Sequence, residues 1–404
     1  MGDLKRIGIL TSGGDCGGLN GVIRGAALSA LSAGIESVLI TNGYAGLYNL
    51  VDFPELRVLD RERLDLIEVF MAGSEAGNSR VKIGKIKDEG KYERIKQGLA
   101  KHNLDALVIA GGDDTGSVVV DLAEKGIPCI HAPKTMDLDL MPYSVGGDST
   151  INRIADFARE LRTTGFTHNR IIVMEVFGRY AGHTAFRGGV AAQADAVLIP
   201  EIPVDFDVLF RQLKEVYFRR LDSSDVHAAS AMVVVAEGLR DASGAELVDM
   251  SSEPDAFGHR RLAGAGKYVT QQLESRMKAD QDSRDRYRQH GIFVEGINEV
   301  PEIREVRPGH LVRCGITSAV DAAFGLEVGA GAVHLAREGV FGVTVTACRE
   351  GVVEYMDVKD AIVQRFVDPA TVALYESMGV SFGREFAAPA ITTRKVTGTP
   401  IRPH

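Results

Sequence analysis

Short runs of β-branched and aliphatic residues recur along the chain without polar alternation, and stretches of helical periodicity separate them. Ile7–Leu10, Ser37–Thr41, Ala106–Ala110, Ile127–Ala132, Arg170–Val176, Ala194–Ile199, Ala231–Ala236 and Val340–Ala347 read as strands. A strand that is apolar on both sides is buried on both faces, which is the state of a parallel sheet covered by helices. Between them Gly21–Ala33, Lys91–His102, Ser117–Lys125 and Ser149–Arg162 carry helical periodicity. This βαβ alternation predicts a doubly wound α/β fold.

A chain of 404 residues accommodates more than one such domain, at roughly 100–200 residues each. The formal net charge is -9. That balance disfavours nucleic acid as a partner, because such binding needs surface cations to neutralise phosphates, but it leaves room for a local cationic pocket. The four cysteines, Cys16, Cys129, Cys314 and Cys348, form no CxxC pair and sit in apolar or glycine-rich surroundings, so they are expected to be buried free thiols, and zinc is set aside. The first apolar run, Ile7–Leu10, is too short for a signal peptide, and no stretch approaches the ~18 consecutive apolar residues of a membrane span. A cytoplasmic location without a membrane partner is expected. Ser251–His290 is polar; Lys267–Lys278 within it reads as an amphipathic helix and the rest as a solvated insertion, while the tail after Ala387 is loop-like.

Several strands run directly into glycine and acidic residues. In open α/β sheets ligands bind in the crevice beyond the carboxyl ends of the strands. Thr11–Asn20 contains Gly13, Gly14, Gly17 and Gly18 and joins the first strand to a helix. Glycines let the backbone approach an anion, and a helix N-terminus offers free N–H groups, although a tight βα turn has the same composition. Gly111-Gly112-Asp113-Asp114 adds two carboxylates in the same context. A carboxylate beside a polyphosphate requires a divalent cation between them, which points to magnesium; the plainer alternative is an aspartate capping the next helix. Pro133–Asp139 supplies Lys134, Asp137 and Asp139 after another strand. A carboxylate in this segment could accept the proton of an attacking hydroxyl and Lys134 could neutralise a transferring group, against the alternative of a charged surface loop. Arg170, Arg179, Arg304, His310 and Arg313 lie at strand ends or in loops. Converging guanidinium groups bind phosphate, whereas a single arginine is more often a solvated surface residue.

Taken in order, these pieces resemble the phosphofructokinases, and most closely their pyrophosphate-dependent branch. The resemblance covers about Lys5 to Gly315 and rests on Thr11–Asn20, Gly77-Asn78-Ser79-Arg80, Gly111–Ser117, Pro133–Asp139, Glu175–Arg179, Pro200–Pro203, Ala236–Gly238, Arg304 and Gly309–Arg313. It implies two Rossmann-like doubly wound domains with the active site in the cleft between them. Residues 1–148, completed by about 314–365, would hold pyrophosphate and magnesium; residues 149–313, completed by about 366–404, would hold the sugar phosphate. It further implies transfer of a phosphoryl group to the 1-hydroxyl of fructose 6-phosphate. Asp137 would be the base, supported by Asp139, with Thr135, Arg179 and Lys134 in the catalytic set and Asp113 holding Mg2+. Gly13, Gly14, Arg80, Gly112, Asp114 and Lys134 would face the donor. Thr135, Asp137, Phe177, Gly178, Arg179 and Glu237 would face the sugar, and Arg170, Arg304, His310 and Arg313 its 6-phosphate. Arg170 and Arg304 would reach across from a neighbouring subunit, implying a homodimer or homotetramer.

ATP-using relatives typically have glycine at the position of Asp114, and many also at that of Lys134, so these two residues resemble the pyrophosphate pattern. The chain departs from the family where Leu138 replaces asparagine, Phe177 replaces methionine and Gly17 replaces proline. Phe177 and Leu138 motivate a second reading in which the acceptor is another sugar or polyol phosphate such as sedoheptulose 7-phosphate. ATP as donor, a non-catalytic regulatory subunit, and a different GGD-loop kinase such as an NAD kinase are the remaining alternatives.

Overall fold

A computed structural model describes residues 4–240, 244–245, 247, 262, 264–386 and 391–398. Among the described residues the chain forms two compact units. The first runs to Thr150 and includes Arg313–Arg365; the second runs from Ile151 to Val312 and resumes at Phe366.

The first unit is built on a seven-stranded sheet of β1 (Arg6–Thr11), β2 (Glu36–Leu39), β3 (Arg57–Val58), β4 (Ala106–Gly111), β5 (Cys129–Pro133), β10 (Val343–Arg349) and β11 (Val352–Asp357), in the order β11-β10-β5-β4-β1-β2-β3. The pairs from β10 to β2 are parallel, and the edges β3 and β11 are antiparallel. Every residue of β4 and β5 is buried. A fully buried Val, Leu or Ile stabilises by roughly 1.5–3 kcal/mol over exposure, so these unalternating runs have no competing register on a half-wet sheet.

The returning C-terminal segment is fixed to this unit by glycine. Helices Leu19–Ser32 and Ala319–Glu338 cross so closely that a Cβ at Gly25 would stand 2.1 Å from the Leu326 carbonyl oxygen, and one at Gly329 would stand 2.2 Å from that of Val22. Ala319–Glu338 is long and apolar enough by composition to cross a membrane. Its Gly325–Val328–Gly329–Ala332 side is instead buried against Leu19–Ser32 and the sheet, with Val328, Ala332 and Val333 in the same apolar core as β1.

The second unit holds a four-stranded, all-parallel sheet, β6 (Arg170–Val176), β7 (Ala196–Leu198), β8 (Ala231–Ala236) and β9 (Glu302–Val306), in the order β7-β8-β6-β9. The polar stretch Ser251–His290 corrects one expectation. Residues 251–261 and 263 lie outside the described residues. The amphipathic helix expected over Lys267–Lys278 is present as Ala265–Ala279, which buries Val269, Leu273 and Met277; the stretch after it is not a solvated insertion but helix Gln281–Gln289, whose Tyr287 is buried in the same core cluster beneath β6 and β8. The Tyr287 hydroxyl shares a 2.9 Å hydrogen bond with that of Tyr217, which satisfies both phenols inside the core. The cysteines need a second correction: Cys16 and Cys129 are buried, Cys348 is half-buried and Cys314 is exposed. Cys314 directly follows the short turn Gly309–Arg313, where His310 and Leu311 are also exposed.

Candidate active site

In the first sheet the chain leaves β1 toward β2 on one side and places β4 and β5 on the other, so the strand order reverses between β1 and β4. Crevices at such switch points are where open α/β sheets take ligands. The loops after β1, β4 and β5 meet there around a cavity of about 220 Å³, lined by Gly13, Gly14, Asp15, Arg80, Gly112–Asp114, Lys134–Asp137 and Arg313.

Backbone contacts fix these loops. Ser12 N–H donates to the Ala110 carbonyl at 2.9 Å, and Gly13, with φ +80, turns the chain in a conformation that suits glycine. The Gly77-Asn78-Ser79-Arg80 segment braces the turn: Gly13 N–H donates to Ser79 O at 3.3 Å and Asn78 Nδ2 to Gly13 O at 3.1 Å. Helix Asp113–Glu124 starts at the two aspartates, with Gly112 as its N-cap and no side-chain capping bond. The capping alternative for Asp113 and Asp114 is therefore not what the fold uses them for. They occupy the first turn, where the helix dipole favours negative charge. A lysine that the sequence did not single out, Lys82, stands 3.7 Å from Asp114.

Lys134 is buried and ties three loops together. Its N–H donates to Gly111 O at 2.9 Å and its ammonium donates to Gly14 O. Burial pulls its pKa down, and the neighbouring Arg313 guanidinium adds to that fall. Beneath it His131 is fully buried, with Nε2 2.9 Å from Gly111 O and Nδ1 2.9 Å from the Thr344 hydroxyl. A carbonyl only accepts, so Nε2 carries the proton and Nδ1 accepts from Thr344. Burial lowers the His131 pKa to about 4, keeping the ring neutral.

In the loop after β5, Thr135 Oγ1 donates to Asp139 Oδ1 at 3.1 Å and accepts from Asp137 N–H at 3.1 Å. Burial first, and the charge of Asp113 second, raise the Asp139 pKa. Leu138, between the two aspartates, has φ +56, a left-handed conformation that is costly for a branched aliphatic residue. The strain is held by packing: a Cβ on Gly147 would lie 2.2 Å from Leu138 Cδ2. It is also held by Arg365, which donates to the carbonyls of Leu138 and Asp139, each at 2.7 Å. Gln364, whose Nε2 donates to Asp139 Oδ2 at 3.3 Å, and Arg365 come from a distant part of the sequence with no motif of their own, and only the fold reveals them.

In the second unit the loops after β6, β8 and β9 gather Phe177, Gly178, Arg179, Glu237 and His310, whereas Arg170 opens β6 at the other end of the strand and Arg304 lies within β9. The β6 and β8 loops approach so closely that Gly238 N–H reaches Gly178 O at 3.1 Å and a Cβ on Gly238 would lie 1.8 Å from Arg179 O. Phe177 and His310 meet edge to face with ring centres 5.6 Å apart. Glu302 pairs with Arg170 Nε, its cross-strand neighbour in the parallel register of β6 and β9, and with Arg304 Nη2, two residues along its own strand on the same face, each at 2.5 Å. Burial and the Glu175 charge push Glu237 up to about 7 against the opposing pull of Arg307 and Arg179. Arg313, grouped by resemblance with His310, belongs to the first unit, where it stands 3.3 Å from Asp15.

Glycine turns, adjacent carboxylates and a buried lysine around one cavity at a sheet switch point define an α/β protein of the phosphate-handling class. The chain belongs to the phosphofructokinase family, whose model matches residues 6–336. It is 32% identical to a pyrophosphate–fructose 6-phosphate 1-phosphotransferase of Dictyoglomus thermophilum, over 94% of this chain and 99% of that protein. It is equally 32% identical to an ATP-dependent 6-phosphofructokinase of Clostridium perfringens, over 95% of this chain and 99% of the relative. A crystal structure of a pyrophosphate-dependent phosphofructokinase from Nitrosospira multiformis superposes with a TM-score of 0.70 at 19% identity, over 91% of this chain and 86% of that one, a likeness of fold.

Proposed function

We propose that the chain catalyses reversible, magnesium-dependent transfer of a phosphoryl group from pyrophosphate to the 1-hydroxyl of fructose 6-phosphate. The observation that carries the choice of donor is Asp114, a half-buried carboxylate on the wall of the first unit's cavity. It occupies space and repels the extra phosphate of a nucleotide, while the short pyrophosphate ends before it. The cavity volume of about 220 Å³ is also small beside the roughly 300–1,000 Å³ of pockets for drug-sized ligands.

In this reading Asp137 accepts the proton from the sugar 1-hydroxyl, whose oxygen attacks the terminal phosphorus; the bond to the bridging oxygen breaks and phosphate leaves. Asp137 is oriented through Thr135, which also bonds Asp139. Gly13, Gly14, Gly112 and Arg80 cradle the donor, and Lys134 meets the charge of the transferring group. The residues fit magnesium: Asp113 offers a hard carboxylate oxygen on the cavity wall, its charge adds to burial in raising Asp139, and magnesium binds through one or two carboxylates with substrate phosphates. Asp113 would hold it, and it would supply charge neutralisation between the carboxylate and the phosphate oxygens. Thr135, Phe177, Gly178, Arg179 and Glu237 contact the sugar in this assignment, and His310 and Arg313 its 6-phosphate. Arg170 and Arg304 serve the 6-phosphate of a neighbouring protomer in a homodimer or homotetramer.

A second acceptor reading is supported by Phe177, whose ring packs on His310 where the family has a flexible methionine. A matrix of kcat/KM values for pyrophosphate and ATP against fructose 6-phosphate and sedoheptulose 7-phosphate tests both choices. A dominant pyrophosphate–fructose 6-phosphate cell is expected; dominance of another cell replaces the corresponding half of the proposal.

A further inference from the structure

Glu175, near the end of β6, is 1% exposed. One carboxylate oxygen accepts the Gly266 N–H at 2.8 Å, in the first turn of the helix Ala265–Ala279. The other lies 2.9 Å from Nε of Arg307, just beyond the end of β9. The same guanidinium extends across the strand ends, placing Nη2 3.6 Å from Oε2 of Glu237 after β8. Arg307 thus spans the three adjacent strands of the proposed acceptor site from a buried anchor to a half-buried carboxylate. No site assignment above uses it, and nothing in the motif pattern singled it out.

Two neighbouring carboxylates repel when both are charged, so a cation between them favours their being ionised together. The charged groups around Glu237 are Glu175 from β6, Arg179 from the loop after β6, and Arg307 from the end of β9. Glu305, also on β9, is raised by burial and by Glu175 and opposed by Arg307 and Lys267. Arg307 stands in an ion pair with both Glu175 and Glu237. We propose that Arg307 is a positioning residue for the acceptor: anchored on Glu175, it orients Glu237 and keeps it an ionised hydrogen-bond acceptor for a sugar hydroxyl. This rests on the assignment of Glu237 to the acceptor site.

A purely structural role, neutralising buried Glu175, makes a different prediction. Replacing Glu175 by glutamine removes the buried charge, so Arg307→Met in the Glu175→Gln background leaves no unpaired carboxylate there. The comparison is between E175Q and E175Q/R307M, with wild type measured first on fructose 6-phosphate. Positioning predicts that R307M in this background raises the KM for fructose 6-phosphate about tenfold with kcat changed by less than about threefold. The acid limb of kcat/KM should move to higher pH, because Glu237 loses an opposing cation. Arg307→Lys should restore part of the KM. Melting temperatures that fall while KM and the acid limb stay unchanged overturn the proposal in favour of the structural role. No turnover of any sugar phosphate by the wild type overturns instead the assignment of the site on which it rests.

Discussion

The two units hold their functional loops in different ways. In the first, backbone does most of the work: left-handed Gly13, carbonyls of Gly14 and Gly111 taken by Lys134 and His131, and a first helical turn that begins at Asp113. In the second, charged side chains satisfy one another: Arg170 and Arg304 on Glu302, and Arg307 on Glu175 and Glu237. A backbone cradle suits a small, symmetric anion that must be approached closely, and its geometry exists before the ligand arrives. A network of mutually paired side chains must give up internal partners to take a sugar phosphate, so discrimination there depends on which pairs are surrendered.

The largest effect should come from the proposed base of the first unit. Asp137→Ala is expected to lower kcat by about 10²–10⁴-fold, the usual worth of a general base, with no loss of melting temperature. Retained turnover would remove Asp137 as the base and leave the cradle without its chemistry.

The backbone cradle also has an acid limit. His131 has a folded pKa of about 4 against an ordinary 6.5. Its neutral form belongs to the folded state, so stability is complete above about 6.5 and is lost as the pH falls toward 4. Between pH 7 and 5 this amounts to about 2 kcal/mol in urea unfolding, and His131→Asn should flatten that slope. An unchanged slope would show that the ring does not hold Gly111.

Asp114→Gly sharpens the contrast on the donor side. Without its carboxylate, kcat/KM with pyrophosphate should fall and that with ATP rise, moving their ratio about tenfold or more. The smallest effect belongs to the second unit. In the proposed assignment Glu302 competes with phosphate for Arg170 and Arg304, but it is exposed and screened. Glu302→Gln should therefore lower the KM for the acceptor only about twofold to threefold, within the modest worth of exposed ion pairs. A higher KM would mean that Glu302 arranges the arginines for the phosphate instead of competing with it.

The buried strands were legible because their burial leaves one pattern: the readings for β6 and β8 coincide with the observed Arg170–Val176 and Ala231–Ala236. β9, Glu-Ile-Arg-Glu-Val, was not, because it is an edge strand whose alternate side chains are charged and exposed. The helix after β4 begins at Asp113, ahead of the expected Ser117, since Gly116 reads as a breaker but packs under Ile362 where a side chain would not fit. Helix Gln281–Gln289 has a charged surface and is anchored by Tyr287, too thin an apolar signal to show as periodicity. The glycine and aspartate loops were visible because their composition is local. Arg307, Gln364 and Arg365 were not, because each acts through partners far along the chain.

The donor is the point on which the account turns, since relatives of equal identity carry pyrophosphate in one name and ATP in the other. The most direct measurement is the ratio of kcat/KM for pyrophosphate to that for ATP, with saturating fructose 6-phosphate and magnesium. The account predicts that pyrophosphate is preferred by about a hundredfold or more, the discrimination available when one donor leaves a charge clash unrelieved. A preference for ATP would contradict it and show that Asp114 does not close the donor site.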